Sequence, residues 1–134
     1  MQYLLDSCAV SDFFKHEANT VKKIKSCSPH DICVSTITIA EIEYGLANNP
    51  AFAHKHGDFI NHFLSQINVL YVCEKIARLS GIIRARLRKA GTPIGMYDIL
   101  IGATALHNGL CLITSNVDEF RRIDDLRMEN WRTP

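Results

Sequence analysis

The residues from Asp98 to Thr114, DILIGATALHNGLCLIT, read as an apolar helix, a stop and an apolar strand. From Ile99 to Leu106 apolar residues cover nearly the whole circumference of a helix, which suits a central element buried on most sides. Asn108-Gly109 ends it, because glycine takes the left-handed backbone conformation that closes a last turn. Residues 110–114 are continuously apolar instead of alternating, the pattern of a short parallel strand covered on both faces. Working outward, runs at residues 2–5, 32–35 and 68–72 have the same character, and a further short strand around 126–128 is compatible with the pattern. Between them Phe52, Phe59, Phe63 and Leu64, then Ile76, Leu79, Ile83, Leu87 and Ala90, recur at helical spacing. Ser28-Pro29, Asn49-Pro50 and Gly91-Thr92-Pro93 punctuate the boundaries. Strands alternating with helices predict an α/β fold, with a central, mainly parallel sheet of four to five strands flanked by helices.

A chain of 134 residues, 47% hydrophobic and 22% charged, has the size and composition of one globular domain, residues 1–134, rather than a disordered chain. No apolar run approaches the roughly 20 residues that a spanning helix requires. The segment MQYLLDSCAV has neither the basic flank nor the apolar length of an export signal, so a cytoplasmic protein without a membrane partner is expected. Cys8, Cys27, Cys33, Cys73 and Cys111 are odd in number and lack a C-x-x-C pair. They argue against a disulfide framework or zinc knuckle and predict small core residues in a reducing compartment. The net charge of +1 decides nothing about nucleic acid, since phosphate binding depends on local clusters.

In open parallel sheets, ligands bind beyond the carboxyl ends of the strands. Asp6 ends the first apolar run, Glu41 opens the helix after the second, Asp98 opens the helix before the last, and Asn116, Asp118 and Glu119 follow it. Taken singly, each has a structural alternative. Asp6 or Ser7 serves equally as the N-cap of a helix beginning near Ala9. Glu41 fits the capping-box pattern Thr38-x-x-Glu41, and Asn116-x-x-Glu119 has the same ambiguity. Asp98 weighs most, because a carboxylate at the mouth of a buried helix loses water and needs a cation or several donors in compensation. The helix N-terminus offers some donors; a metal ion compensates better where other carboxylates are in reach. His16, His30, His54, His56, His62 and His107 form no paired ligand motif. Hard oxygen ligands select Mg²⁺ or Mn²⁺, and such a site points to phosphate-ester chemistry.

Read in order, four blocks resemble the PIN-domain family, and within it the VapC-type toxin ribonucleases of type II toxin–antitoxin systems. Tyr3-Leu4-Leu5-Asp6-Ser7 resembles the opening strand with its acid, and residues 34–45, VSTITIAEIEYG, resemble the second strand and the helix bearing Glu41. Residues 94–105, IGMYDILIGATA, give the strongest match and place an acid at Asp98. Residues 112–120, LITSNVDEF, resemble the fourth-strand motif, and 126–131 the usual ending. Cys8 stands where the family usually has Asn, and Asn116 where many members have Asp, which moves the fourth acidic role toward Glu119.

The resemblance implies a PIN-like three-layer sandwich and an endoribonuclease supported by Mg²⁺, with Mn²⁺ as a substitute. On it, Asp6, Glu41, Asp98 and Glu119 are the catalytic acids, Asp6 and Asp98 are metal ligands, and Ser7, Ser35, Ser115 and Asn116 hydrogen-bond the acids or water. The implied partners are an RNA substrate, with tRNA the expected class, a VapB-like antitoxin and a second copy of the chain. Val10, Phe13 and Phe14, early in the first helix, lie where the family dimerises or receives its antitoxin. Clustered Arg84, Arg86, Arg88 and Lys89, with Arg78 on the same helix, are candidate phosphate contacts, as are Arg121, Arg122, Arg127 and Arg132; a solvated helix face explains such a run equally well. A haloacid-dehalogenase-type phosphatase needs a second Asp where Cys8 stands. A receiver-like phosphoacceptor needs an Asp after its third strand, where this chain has Glu74. The remaining alternative is a non-catalytic PIN-fold module that binds RNA or protein, against which the retained acids argue, because idle like charges cost stability.

Overall fold

Leu4 and Leu5 are both fully buried, and because successive strand residues face opposite sides, the strand that carries them has to be covered twice. The computed structural model, which describes all 134 residues, shows how. That strand, β1 (Tyr3–Leu5), is the middle of a five-stranded sheet in the order β3-β2-β1-β4-β5. The others are β2 (Ile32–Ser35), β3 (Asn68–Leu70), β4 (Cys111–Ile113) and β5 (Met128–Glu129), and every pairing is parallel. Leu5 lies level with Val34 on one side and Ile113 on the other.

Seven helices cover the two faces: α1 (Ser7–Phe14), α2 (Ala18–Ser26), α3 (Thr36–Asn48), α4 (Pro50–Gln66), α5 (Glu74–Lys89), α6 (Met96–His107) and the single turn α7 (Val117–Phe120). On one face Leu4, Cys33 and Leu112 pack with Ile76, Ile83 and Leu87 of α5, with the buried side of α6, and with Phe120, Ile123 and Leu126. On the other, Leu5, Val34 and Ile113 pack with Val10, Phe13 and Phe14 of α1, Ile24 of α2, Leu46 of α3, Ile60 of α4 and Trp131. The result is the expected three-layer α/β sandwich.

The strands are shorter than the apolar runs that announced them, because a run can continue into the core after its ladder has ended. Leu110 is buried one residue before β4, and Leu126 is buried in the core while the fifth strand begins only at Met128. Val10, Phe13 and Phe14 are core residues, and Phe13 and Phe14 stack with Phe59 and Phe63 at centroid distances of 4.8–5.8 Å. Of the cysteines, Cys33 and Cys111 are buried as expected, but Cys8 and Cys73 are exposed. Both stand at helix starts, where Cys8 is the second residue of α1 and Cys73 the N-cap of α5.

Helix α6 is buried almost all round, with Ile99, Ile101, Gly102, Ala103, Thr104 and Ala105 inside. Gly102 is required by a close approach, since a Cβ there would stand 2.6 Å from Ile123 Cδ1. At the far end Gly109 takes φ +63°, and the N–H groups of Gly109 and Leu110 donate to the carbonyls of Leu106 and Ala105 at 3.2 and 2.9 Å. This pair of bonds turns the chain from α6 straight into β4. The end of the chain folds back on α1. Trp131 packs edge-on against Tyr3, and Arg132 forks onto Asp12 with Nε–Oδ2 at 2.7 Å and Nη2–Oδ1 at 2.8 Å.

Candidate active site

The chain builds the sheet outward from β1 through β2 to β3, then crosses to the other side of β1 for β4 and β5. The connections after β1 and β4 therefore leave in opposite directions, opening a crevice at the carboxyl ends of these two strands, where ligands bind in such sheets. Asp6 follows β1 directly and is 5% exposed. Its Oδ1 accepts the Ala9 N–H at 2.8 Å, so it is the N-cap of α1, which begins at Ser7 rather than near Ala9. Capping does not use up its charge. Burial pushes its carboxyl up to about 6, with Glu41 and Asp12 adding to the effect against hydrogen bonds from Thr114 and the Ala9 N–H that lower it.

Glu41 does not open α3, and the capping-box reading of Thr38 and Glu41 is wrong. The N-cap is Ser35, whose Oγ accepts the Ile37 N–H at 3.0 Å, because the helix starts as soon as β2 ends. Glu41 sits in the second turn, one turn past Thr38, and its Oε1 is buried without a hydrogen-bond partner, as is Thr38 Oγ1. Asp98 is the third residue of α6 and half-buried, while the N-cap there is Gly95, which has no side chain to offer. Its carboxyl is pushed up to about 6, first by burial and then by the charges of Glu119, Glu41 and Asp6. Glu119, on α7, lies within hydrogen-bonding reach of Asp98 and accepts Asn116 Nδ2 at 3.0 Å.

The structure thus brings Asp6, Glu41, Asp98 and Glu119 together from four separate elements. None of the chain's three ion pairs involves them, and every charge prominent in raising Asp6 or Asp98 is negative. An all-carboxylate donor set with a buried, unpartnered oxygen suits a hard divalent cation. No three acidic, histidine or cysteine side chains are closed on one point at ligand distance.

Among the smaller polar residues, Asn116 steadies Glu119, Ser35 is spent on the α3 cap, Ser7 lines a groove beside Glu41, and Ser115 is half-buried. The hydroxyl that reaches Asp6 belongs to Thr114, which also accepts the Asn116 N–H at 2.9 Å. Sequence reasoning treated Thr114 only as the end of a strand; the signal was its place at the tip of β4, beside the tip of β1.

The candidate phosphate-binding residues lie apart from the acids. Arg84, Arg86, Arg88 and Lys89 are exposed on the second half of α5, where Arg86 and Leu87 share a cleft with Leu106. Leu106 is eight residues, about 12 Å along α6, beyond Asp98, so this half of α5 lies by the far end of α6 from that acid. The arginines near the chain end each hold a contact of their own: Arg121 to Asp118, Arg122 to the Pro93 carbonyl, Arg127 to the Gly109 carbonyl and Arg132 to Asp12.

Beside the acids runs a groove of about 850 Å³ between α1, α3 and α4. Its lining is mostly apolar, including Val10, Phe14, Ile42, Leu46, Phe52 and Ile60, and Lys15 and Arg132 line it as well. Glu41, Ser7, Tyr44 and Tyr97 carry it up to the acidic cluster.

Residues 3–126 match the model of the PIN domain. The chain belongs to the PIN-domain family. Within that family it is 36% identical to the ribonuclease VapC2 of Haemophilus influenzae and 30% identical to the tRNA(fMet)-specific endonuclease VapC of Salmonella typhimurium, each over 131 residues and 98% of both chains. The PIN fold superposes with a TM-score of 0.89 on a chain of the DNA-bound VapBC complex of Salmonella typhimurium, at 30% identity and 98% coverage of both chains. A chain of the Rickettsia felis VapBC2 complex bound to a fragment of its promoter DNA gives 0.88 at 28% identity, covering 98% of this chain and 99% of that one.

Proposed function

We propose that this PIN-domain chain is a metal-dependent endoribonuclease, the toxin of a toxin–antitoxin pair, which cuts RNA at the crevice beyond β1 and β4. The observation that carries the reading is four carboxylates from four elements, two of them pushed up to about 6, none of which is held in an ion pair. Asp6 and Asp98 would hold Mg²⁺ or Mn²⁺, with Glu41 beside them offering its unpartnered Oε1. The bound ion supplies a more acidic water and offsets charge on the attacked phosphodiester. The chain's own residues do the positioning. Thr114 and the Ala9 N–H fix the Asp6 carboxyl, and Asn116 holds Glu119 beside Asp98. No side-chain nucleophile is involved in this scheme.

The relatives' names support the ribonuclease reading, and the Salmonella enzyme's name makes tRNA the first substrate class to test. The VapBC complexes support a VapB-like antitoxin as partner. The mostly apolar groove reaching Glu41 suits one amphipathic segment of such an antitoxin, seated so that it obstructs the acids.

The test is cleavage of total RNA and of tRNA by the purified chain without antitoxin, with Mg²⁺ or Mn²⁺ and with excess chelator. Cleavage should need the ion and disappear in Asp98→Asn while its circular dichroism stays native. Equal cutting in chelator, or an active Asp98→Asn variant, would remove the metal mechanism.

A further inference from the structure

Tyr44 and Tyr97 are among the largest apolar surfaces the molecule leaves open, at 71% and 57% exposure. They belong to different helices, yet both line the groove that Glu41 enters. Tyr44 is one turn beyond Glu41 on α3, and Tyr97 immediately precedes Asp98 on α6. Neither ring stacks on another aromatic ring of the chain, whereas Phe13, Phe14, Phe59 and Phe63 pack together as a core cluster. Large exposed aromatics at a site are informative where a scattered exposed leucine is not.

We infer that Tyr44 and Tyr97 are stacking platforms for unpaired bases next to the phosphate that the acids attack. The inference rests on the nuclease reading. Acidic residues that handle a phosphate say nothing about the bases beside it, and the flanking side chains must supply that contact. The candidate cations on α5 lie toward the other end of α6, and of the two cations that line this groove Arg132 is paired with Asp12, which leaves Lys15 to meet a phosphate and no cation to meet a base. Aromatic faces hold any base by stacking, provided the base is free of its own helix. A protein partner also uses exposed tyrosines, but these two stand at the acidic end of the groove while its aliphatic floor runs away from it along α1 and α4. This placement favours RNA for the tyrosines.

The test compares the wild-type chain with Tyr44→Leu, Tyr97→Leu and the two Phe variants on a short RNA hairpin cut in its loop. It also uses the same hairpin with abasic nucleotides flanking the cut. Each Leu change should raise KM by about fivefold to a hundredfold, with the loss in KM rather than kcat, and Phe should recover most of it. Abasic RNA should be cut poorly by the wild-type chain and no worse by the Leu variants. A wild-type KM in both Leu variants overturns the inference, as does equal cutting of abasic RNA. Lost affinity for antitoxin with unchanged KM for RNA also overturns it, assigning the tyrosines to the protein partner. Binding is read separately in the Asp98→Asn background, with 2-aminopurine placed at a loop nucleotide of the uncut hairpin. Quenching that disappears with the Leu changes supports stacking even if no cleavage is found in any chain, an outcome that would refute the nuclease reading alone; no quenching refutes the platform alone.

Discussion

Replacing Asp6 by Asn separates the two jobs of this residue, because asparagine caps a helix as well as aspartate does but carries no charge. Asp6 is 5% exposed, and its carboxyl titrates at about 6 in place of 3.8. That difference of about two units corresponds to about 3 kcal/mol of penalty for ionising the group inside the fold. The sign follows from proton counting. Between pH 3.8 and about 6 the native chain keeps the proton and the unfolded chain has lost it, so the contribution of Asp6 to stability is full below 3.8, falls through this window and stays low above it. Urea unfolding in chelator should therefore find Asp6→Asn more stable than the wild-type chain by about 2–3 kcal/mol at pH 8, with the gap closing toward pH 4. Adding Mn²⁺ should stabilise the wild-type chain and leave the variant nearly unmoved, as expected for an ion that binds only the folded site. A variant less stable than wild type at pH 8 in chelator would mean that the protein compensates the charge by itself, and the case for a cation at this crevice would collapse.

Two further outcomes are expected. Thr114→Val removes a hydrogen bond that lowers the Asp6 carboxyl, so the acid limb of the cleavage–pH profile should move to higher pH; a limb that stays in place would dissociate Thr114 from Asp6. Arg132→Met leaves Asp12, whose side chain is 12% exposed, without its forked partner and should cost about 1–3 kcal/mol in urea unfolding, the half-exposed arginine keeping the loss below that of a fully buried pair. Asp12→Asn in the same chain should recover most of this, and additivity of the two losses would show that they do not act as a pair.

The parts of this fold that the sequence displays are those where one residue type has one use. A strand buried on both faces has to be apolar throughout, so 2–5, 32–35 and 110–114 were visible, and Asn49-Pro50 and Asn108-Gly109 end helices because their backbones allow little else. Residues with two uses were harder. Asp6 is at once a cap and a buried acid, and only the raised carboxyl shows that the second survives the first. Glu41 matched a capping pattern by spacing alone; the true cap, Ser35, depended on where β2 stopped, which is fixed by pairing with β1 and β3 and not by local preference. The basic run on α5 is dense and easy to see, but its distance from the acids depends on the path by which residues 90–95 bring the chain back to the start of α6. Thr114, Tyr44 and Tyr97 were hidden for the same reason, since their value comes from neighbours far away in sequence.

Four like charges in one crevice need a frame that holds them against their repulsion, and the position of Gly102 suggests how that frame is set. With no Cβ at Gly102, the segment after β4 can press Phe120 and Ile123 directly onto α6, and both are almost fully buried there. Glu119 precedes Phe120, and Asp98 is one turn before Gly102 on α6, so the contact that seats Phe120 also brings Glu119 to Asp98. The apolar packing of α6 is then not merely the core of the domain. Burial of Phe120, Ile123 and Leu126, each of the order of 2 kcal/mol, is large enough to offset the electrostatic penalty of placing one more carboxylate beside three others. On this account the acidic cluster and the buried helix are two consequences of the same stretch, residues 98–120, in which the apolar positions set the distance at which the charged ones must meet.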